Sequence, residues 1–253
     1  MCGSPSTSER HDAPQLPPRA AESALGAGSL IASLREQPLL TVVRCAEPAA
    51  LRWRVEQLAA AGVRHVEVAW LPQSGWVEQC RELRRLFPAL QLGAASITTA
   101  AALADVRAAG FCYAMSPLLR AELLIEAARL GLLLVPGVMS PTEVDLARRL
   151  GCRLVKLFPA AALGPGYWPL LAGPLAPLPF CIAAGGLRPA DVPLWLASGV
   201  QAVTLGTALF SAAPEAVLDP RLALVLQGLR EAAAAGPPQP AGEPARSPAA
   251  GYA

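Results

Sequence analysis

Short apolar runs recur along the chain, each followed by a segment in which apolar and polar positions repeat at helical spacing. The runs cover residues 38–44, 64–70, 90–95, 111–115, 132–135, 153–158, 180–184 and 202–205. They are short and rich in Val, Leu, Ile and Ala, as strands buried on both faces must be. Between them the pattern predicts helices over 48–61, 75–87, 98–109, 118–130, 140–150 and 189–198. Several of these open on a capping Ser or Thr or an early Pro, and Gly62, Gly110, Gly131, Gly151 and Gly199 each stand just ahead of the next strand, where a left-handed residue can end a helix. Strand and helix therefore alternate, which predicts a parallel sheet.

The residues near the strands' C-terminal ends are Arg44, Glu67, Ser96, Ser116, Pro136, Lys156, Gly185 and Gly206, separated by 20 to 29 residues. Eight compact units fit a single (β/α)8 TIM barrel better than an open doubly wound sheet, and the barrel is assigned to 29–235. Residues 1–28, with Pro5, Pro14, Pro17 and Pro18, read as a flexible N-terminal tail without the basic start and apolar run of a signal peptide. Residues 236–253 read as a Pro/Ala-rich disordered tail.

Composition narrows the function classes. Charged residues make up 16% of the chain and the formal net charge is +2, which offers no basic footprint for nucleic acid. No uncharged apolar stretch is long enough to span a membrane, so neither nucleic acid nor membrane is expected as a partner. The six cysteines form no C-x-x-C pair and most lie in apolar segments, the habit of reduced thiols in a cytoplasmic protein rather than of a disulfide or metal framework. With only His11 and His65, a histidine zinc site or a Ser-His-Asp triad has little to work with, and no metal or other cofactor is expected. His65 reads as a strand-flanking surface residue.

One lysine stands against twenty arginines. A G+C-rich gene accounts for the arginines, but Lys156 sits in the apolar run Arg153-Leu-Val-Lys-Leu-Phe-Pro159, where a solvated charge is out of place. An amine can lose its proton and form an imine with a ketone, whereas a guanidinium stays charged. Glu67 is a carboxylate in a similarly apolar strand. The two could be a buried structural ion pair, yet such pairs stabilise poorly and recur at functional sites. Gly185-Gly186 and Gly206-Thr207 follow the last two strands, where such barrels often bind phosphate through backbone N–H groups, although glycine is also common in these loops for steric reasons. Arg44 could add a cation to the mouth or form an exposed salt bridge.

Taken together, several motifs resemble the 2-keto-3-deoxy-6-phosphogluconate (KDPG) / 4-hydroxy-2-oxoglutarate (KHG) aldolase family: Ala61-Gly-Val-Arg-His-Val-Glu67-Val, Leu92-Gly-Ala-Ala-Ser96-Ile, Ala114-Met-Ser-Pro117, Val135-Pro-Gly-Val, Val155-Lys-Leu-Phe-Pro-Ala160, Ala184-Gly-Gly-Leu187 and Leu205-Gly-Thr-Ala-Leu-Phe210. The resemblance spans residues 38–210. It implies a class I aldolase that cleaves a keto-acid, phosphorylated or not, to pyruvate and an aldehyde, working without a cofactor as a cytoplasmic homotrimer. Lys156 matches the imine-forming lysine, Glu67 the general acid/base and Ser96 the hydroxyl, usually Thr, that contacts the substrate carboxylate. Gly185, Gly186, Gly206 and Thr207 match the phosphate end, and Pro117 and Phe158 fall among the substrate-contacting positions.

The chain also departs from the family pattern. The family usually carries an Arg four residues after the catalytic Glu to bind the carboxylate, and here that position is Leu71. Ala184 stands where Thr commonly precedes Gly-Gly, Ala161 where the family often has Glu, and Leu118 follows Ser-Pro. A bidentate Arg–carboxylate contact is among the stronger polar interactions. Its loss leaves open a non-catalytic barrel, or one acting on a different carbonyl substrate.

Overall fold

The structure, a computed structural model, describes residues 20–211 and 217–235. The tail readings for 1–19 and 236–253 lie outside the described residues. Nine strands form one parallel sheet: β1 (Leu39–Val43), β2 (His65–Ala69), β3 (Gln91–Ala95), β4 (Tyr113–Met115), β5 (Leu133–Val135), β6 (Gly137–Val138), β7 (Leu154–Leu157), β8 (Phe180–Ala184) and β9 (Ala202–Leu205). Their spatial order is β5-β4-β3-β2-β1-β9-β8-β7-β6. The two end strands are consecutive in the chain with only Pro136 between them, so the sheet closes into the expected barrel. The expected fifth strand ends at Val135, and beyond Pro136, which has no N–H to donate, Gly137–Val138 add a short strand that the sequence reading did not include. The Pro136 carbonyl still accepts from the Lys156 N–H at 2.8 Å, and β6 pairs with β7 by setting Gly137 beside Lys156.

Helices α1 (Ala20–Glu36), α2 (Pro48–Ala61), α3 (Trp76–Leu86), α4 (Ala100–Ala109), α5 (Ala121–Arg129), α6 (Pro141–Arg149), α7 (Ala160–Leu163), α8 (Tyr167–Leu170), α9 (Ala172–Leu175), α10 (Val192–Ala197) and α11 (Arg221–Ala235) accompany the strands. Local chemistry sets their ends. Ser140 and Glu143 form a reciprocal capping box at α6, the Thr99 hydroxyl accepts from Ala102 N–H at α4, and Gly62 and Gly110 end α2 and α4 in the left-handed region. The three short helices α7 to α9 follow β7 and have too few residues to show a period in the sequence.

Apolar burial divides into two layers. Between helices and sheet lie Leu51, Val55, Leu58, Trp76, Leu103 and Trp168, while inside the barrel Leu40, Met115, Leu133, Leu154, Phe180, Ile182 and Ala202 meet Ala27, Leu30, Ile31 and Leu34 of α1. Leu133, Leu154, Phe180 and Ala202 are the first residues of their strands, so α1 plugs the N-terminal end of the barrel. This corrects the domain reading, because the stretch to residue 28 contains the first part of α1. Gly26 and Gly28, each about 1 kcal/mol poorer than Ala in a helix, obscured it.

His65 is corrected as well, since it is buried rather than on the surface. Its Nδ1 lies 3.1 Å from the Leu39 carbonyl, which can only accept, so Nδ1 carries the proton and Nε2 accepts from the Ser33 hydroxyl of α1 at 2.7 Å. Burial lowers its pKa from 6.5 to about 4, against the opposing hydrogen bond to Leu39.

Candidate active site

At the C-terminal ends of the strands a cavity of about 330 Å³ opens, lined by Lys156, Arg44, Ser96, Pro117, Phe158, Gly185, Gly186, Gly206 and Thr207 among others. Barrel closure thus gathers nine of the ten sequence-derived candidates into one pocket. A larger, more open hollow of about 690 Å³ lies between α1 and the starts of β7 and β8 and contains none of them.

The tenth candidate, Glu67, does not line the cavity. It projects from β2, where Val42 and Gly93 are its register partners, and it is fully buried with neither carboxyl oxygen hydrogen-bonded. Removing a carboxylate from water without partners penalises its charged form. Burial accordingly raises the Glu67 pKa from 4.5 to about 7, which the nearby Lys156 opposes only in part. The Tyr113 ring fills the space beside Gly93, where an added Cβ would collide with it. The Tyr113 hydroxyl donates to the Gln91 carbonyl at 3.4 Å, leaving the carboxyl unoccupied.

Lys156 sits on β7 between Gly137 and Ile182 and is 6% exposed. Its pKa is lowered from the ordinary lysine value of 10.5, first by burial and then by the Arg44 charge, while Glu67 opposes the shift. The Nζ atom lies 5.1 Å from the centre of the Phe158 ring. Among the described residues no ion pair joins Lys156 to Glu67, so the closed structural pair the sequence left open is not formed. The amine lines the cavity, and its burial disfavours the charged form.

Arg44 follows β1 and donates from Nη2 to Ser96 Oγ at 2.7 Å, so it faces the cavity rather than forming the alternative salt bridge. Arg54 of α2 steadies it from behind, donating to the Arg44 carbonyl at 3.4 Å with its guanidinium 5.3 Å from the centre of the Phe210 ring. Ser96 holds φ +67, a region costly for a side chain other than Gly and one that recurs at functional sites. Gly185, at φ +97, packs so closely on Phe158 that an added Cβ would come within 2.8 Å of the ring. Thr207 opens only a single 3-10 turn, Thr207–Leu209, not a full helix.

Leu71 packs against the outer hydrophobic layer and is absent from the cavity lining, and the adjacent Trp70 is anchored by an Nε1–H bond to Asp105. Thr204 of β9 was missed in the sequence. It lines the cavity, and its hydroxyl is buried without a partner. The signal that exposed Glu67 and Lys156, a polar residue within an apolar strand, was present there too. No group of three or more His, Cys, Asp or Glu is placed to hold a metal among the described residues. No helix among them is long and apolar enough to cross a membrane.

A family model described as "KDPG and KHG aldolase" matches residues 30–218. The chain is 34% identical over 142 residues to the KHG/KDPG aldolase of Escherichia coli K12, covering 55% of this chain and 65% of that one. It is 36% identical over 130 residues to the 2-dehydro-3-deoxy-phosphogluconate aldolase of Dickeya dadantii, covering 51% and 60%. The matched part thus spans a little under two thirds of these curated relatives. A solved KDPG aldolase from Legionella pneumophila, with pyruvate captured at low pH as a covalent carbinolamine intermediate, superimposes with a TM-score of 0.62 and 27% identity over 83% of this chain and 97% of that one.

Proposed function

The chain belongs to the KDPG and KHG aldolase family, and from that premise we infer that it is a class I aldolase cleaving a 2-keto-3-deoxy or 4-hydroxy-2-oxo acid to pyruvate and an aldehyde. The observation that carries this reading is Lys156, the sole lysine of the chain, buried at the cavity with its pKa lowered and its amine paired with no carboxylate among the described residues.

The amine adds to the C2 ketone, and uptake of one proton with loss of one water gives an iminium, the proton being returned when the imine is hydrolysed. Glu67, with a pKa near 7, acts as base at neutral pH and takes the C4 hydroxyl proton through a water that bridges its buried depth. The C3–C4 bond breaks, its electron pair moves into the iminium to form an enamine, and the aldehyde leaves. The same proton can then return to C3, and water hydrolyses the imine to release pyruvate and free Lys156. The iminium is the electron sink, so the sequence of steps calls on no metal ion. Arg44 and Ser96, already joined at 2.7 Å, hold the keto-acid carboxylate in place of the guanidinium missing at Leu71. Pro117 and Phe158 wall the pocket, and the Gly185-Gly186 and Gly206-Thr207 turns receive a phosphate where the substrate carries one. A homotrimer in the cytoplasm belongs to the same reading.

Incubation with pyruvate and borohydride, followed by peptide mass mapping, tests it. A reduced adduct on Lys156 is expected. No adduct, or one confined to the N-terminal amine, overturns the mechanism. Trapping of pyruvate without cleavage of either keto-acid favours a barrel of this family that acts on another carbonyl substrate, the reading that Leu71 keeps open.

A further inference from the structure

Among the described residues, two side chains on the barrel's inner face are buried with polar atoms that have no hydrogen-bond partner: Glu67, whose role is proposed above, and Thr204. Thr204 is 4% exposed, and the neighbouring inward positions Leu40, Ile182 and Ala202 are apolar. A buried hydroxyl without a partner costs stability, and Val would fill the same volume without that cost. Among the described residues no protein group accounts for a hydroxyl there.

Its placement does. Thr204 lies in register with Ala184 on β8 and shares the cavity wall with it, one residue from Gly185 across the sheet and two before Gly206 along the chain. Lys156 is level with Ile182 and Ala202, two residues before Ala184 and Thr204, so in strand register Thr204 falls between the level of Lys156 and the two glycine turns. Ala184 occupies the position where Thr is the commoner residue in the family pattern, so in this chain a hydroxyl is absent from β8 and present at the paired position on β9.

We propose that Thr204 is a specificity residue that hydrogen-bonds a substrate hydroxyl beyond C4, between the bond that breaks and the far anionic end. The substrate class is then a polyhydroxylated keto-acid rather than a short keto-diacid. The inference rests on the aldolase reading and selects among its substrates. Two probes separate them: 2-keto-3-deoxy-6-phosphogluconate carries a hydroxyl at C5, whereas C5 of 4-hydroxy-2-oxoglutarate is a carboxylate.

The experiment compares kcat/KM for both probes in wild type, Thr204→Val and Thr204→Ser. The ratio of the two kcat/KM values, phosphogluconate over oxoglutarate, is expected to fall about tenfold in Thr204→Val, the worth of one hydrogen bond at the upper end of its range, and to return in Thr204→Ser. The melting temperature of Thr204→Val is expected to match or exceed that of wild type. An unchanged ratio in a wild-type background that cleaves both probes overturns this inference alone. Wild type that neither cleaves a probe nor traps pyruvate overturns the aldolase reading and this inference with it.

Discussion

Replacing Glu67 by Gln is expected to expose an acid sensitivity that the wild-type protein conceals. Two buried groups titrate abnormally in the same range with opposite consequences. His65 is held neutral, with a folded pKa of about 4 against 6.5 when solvated. Below pH 6.5 the unfolded chain gains a proton there that the folded protein refuses, so stability falls as pH drops toward 4. Glu67 has a folded pKa of about 7 against 4.5 when solvated. Its stability contribution is complete below pH 4.5 and is lost as pH rises toward 7, so acidification from neutrality restores it. One pH unit within either window is worth about 1.4 kcal/mol per group. Between pH 6.5 and 5.0 each contributes on the order of 2 kcal/mol with opposite signs, so the two oppose each other.

The Glu67→Gln side chain keeps the volume and removes the titration, leaving the His65 slope uncompensated. Urea unfolding of the variant at pH 5.0 is expected to lie about 2 kcal/mol below its value at pH 6.5, a midpoint shift of about 1 M for an m-value near 2 kcal/mol/M. Ion pairs remote from the site, such as Arg129–Glu126 and Arg221–Asp219, are the same in both proteins and drop out of the difference. A variant whose pH profile runs parallel to that of wild type would refute the reasoning, because it would mean that Glu67 is ionised in the folded protein throughout.

Arg44→Ala should raise KM for a keto-acid by roughly tenfold or more with a smaller effect on kcat, in line with about 1.5–3 kcal/mol for a hydrogen bond to a charged group. Steady-state kinetics checks it, and an unchanged KM would remove Arg44 from carboxylate recognition. Deleting residues 1–36 should yield a protein that is unfolded or aggregated by circular dichroism and light scattering. It strips Leu30, Ile31 and Leu34 from the barrel floor, three buried side chains worth about 1.5–3 kcal/mol each. A soluble, cooperatively melting product would show that the barrel closes without α1.

Much of the scaffold was legible before any tertiary contact was known, because the signals that carry it are local. Apolar runs, helical spacing, the Ser140 and Thr99 caps and the terminating glycines depend on residues a few positions apart, and they place the strands within one or two residues. Lys156 was also legible, since a lone ammonium inside an apolar run conflicts with its surroundings whatever the fold. The resemblance to a known family then linked that lysine to Glu67 and Ser96, which local pattern alone could not do.

Tertiary structure decided everything that depends on which surface covers which. His65 is buried only because α1, whose glycines obscured it in the sequence, plugs the barrel and sets Ser33 against the ring. Past Pro136 the chain forms a further short strand that the sequence reading lacked, and the closure of the sheet there puts Gly137 beside Lys156. Glu67 sits below the cavity rather than in its wall, which is what raises its pKa to about 7. Arg44 meets Ser96 across 52 residues of sequence, and Thr204 meets Ala184 across the β8–β9 register. Sequence period tells which residues share a face. Desolvation, pairing and the shape of a cavity are set by the elements that close over that face, and those arrive from elsewhere in the chain.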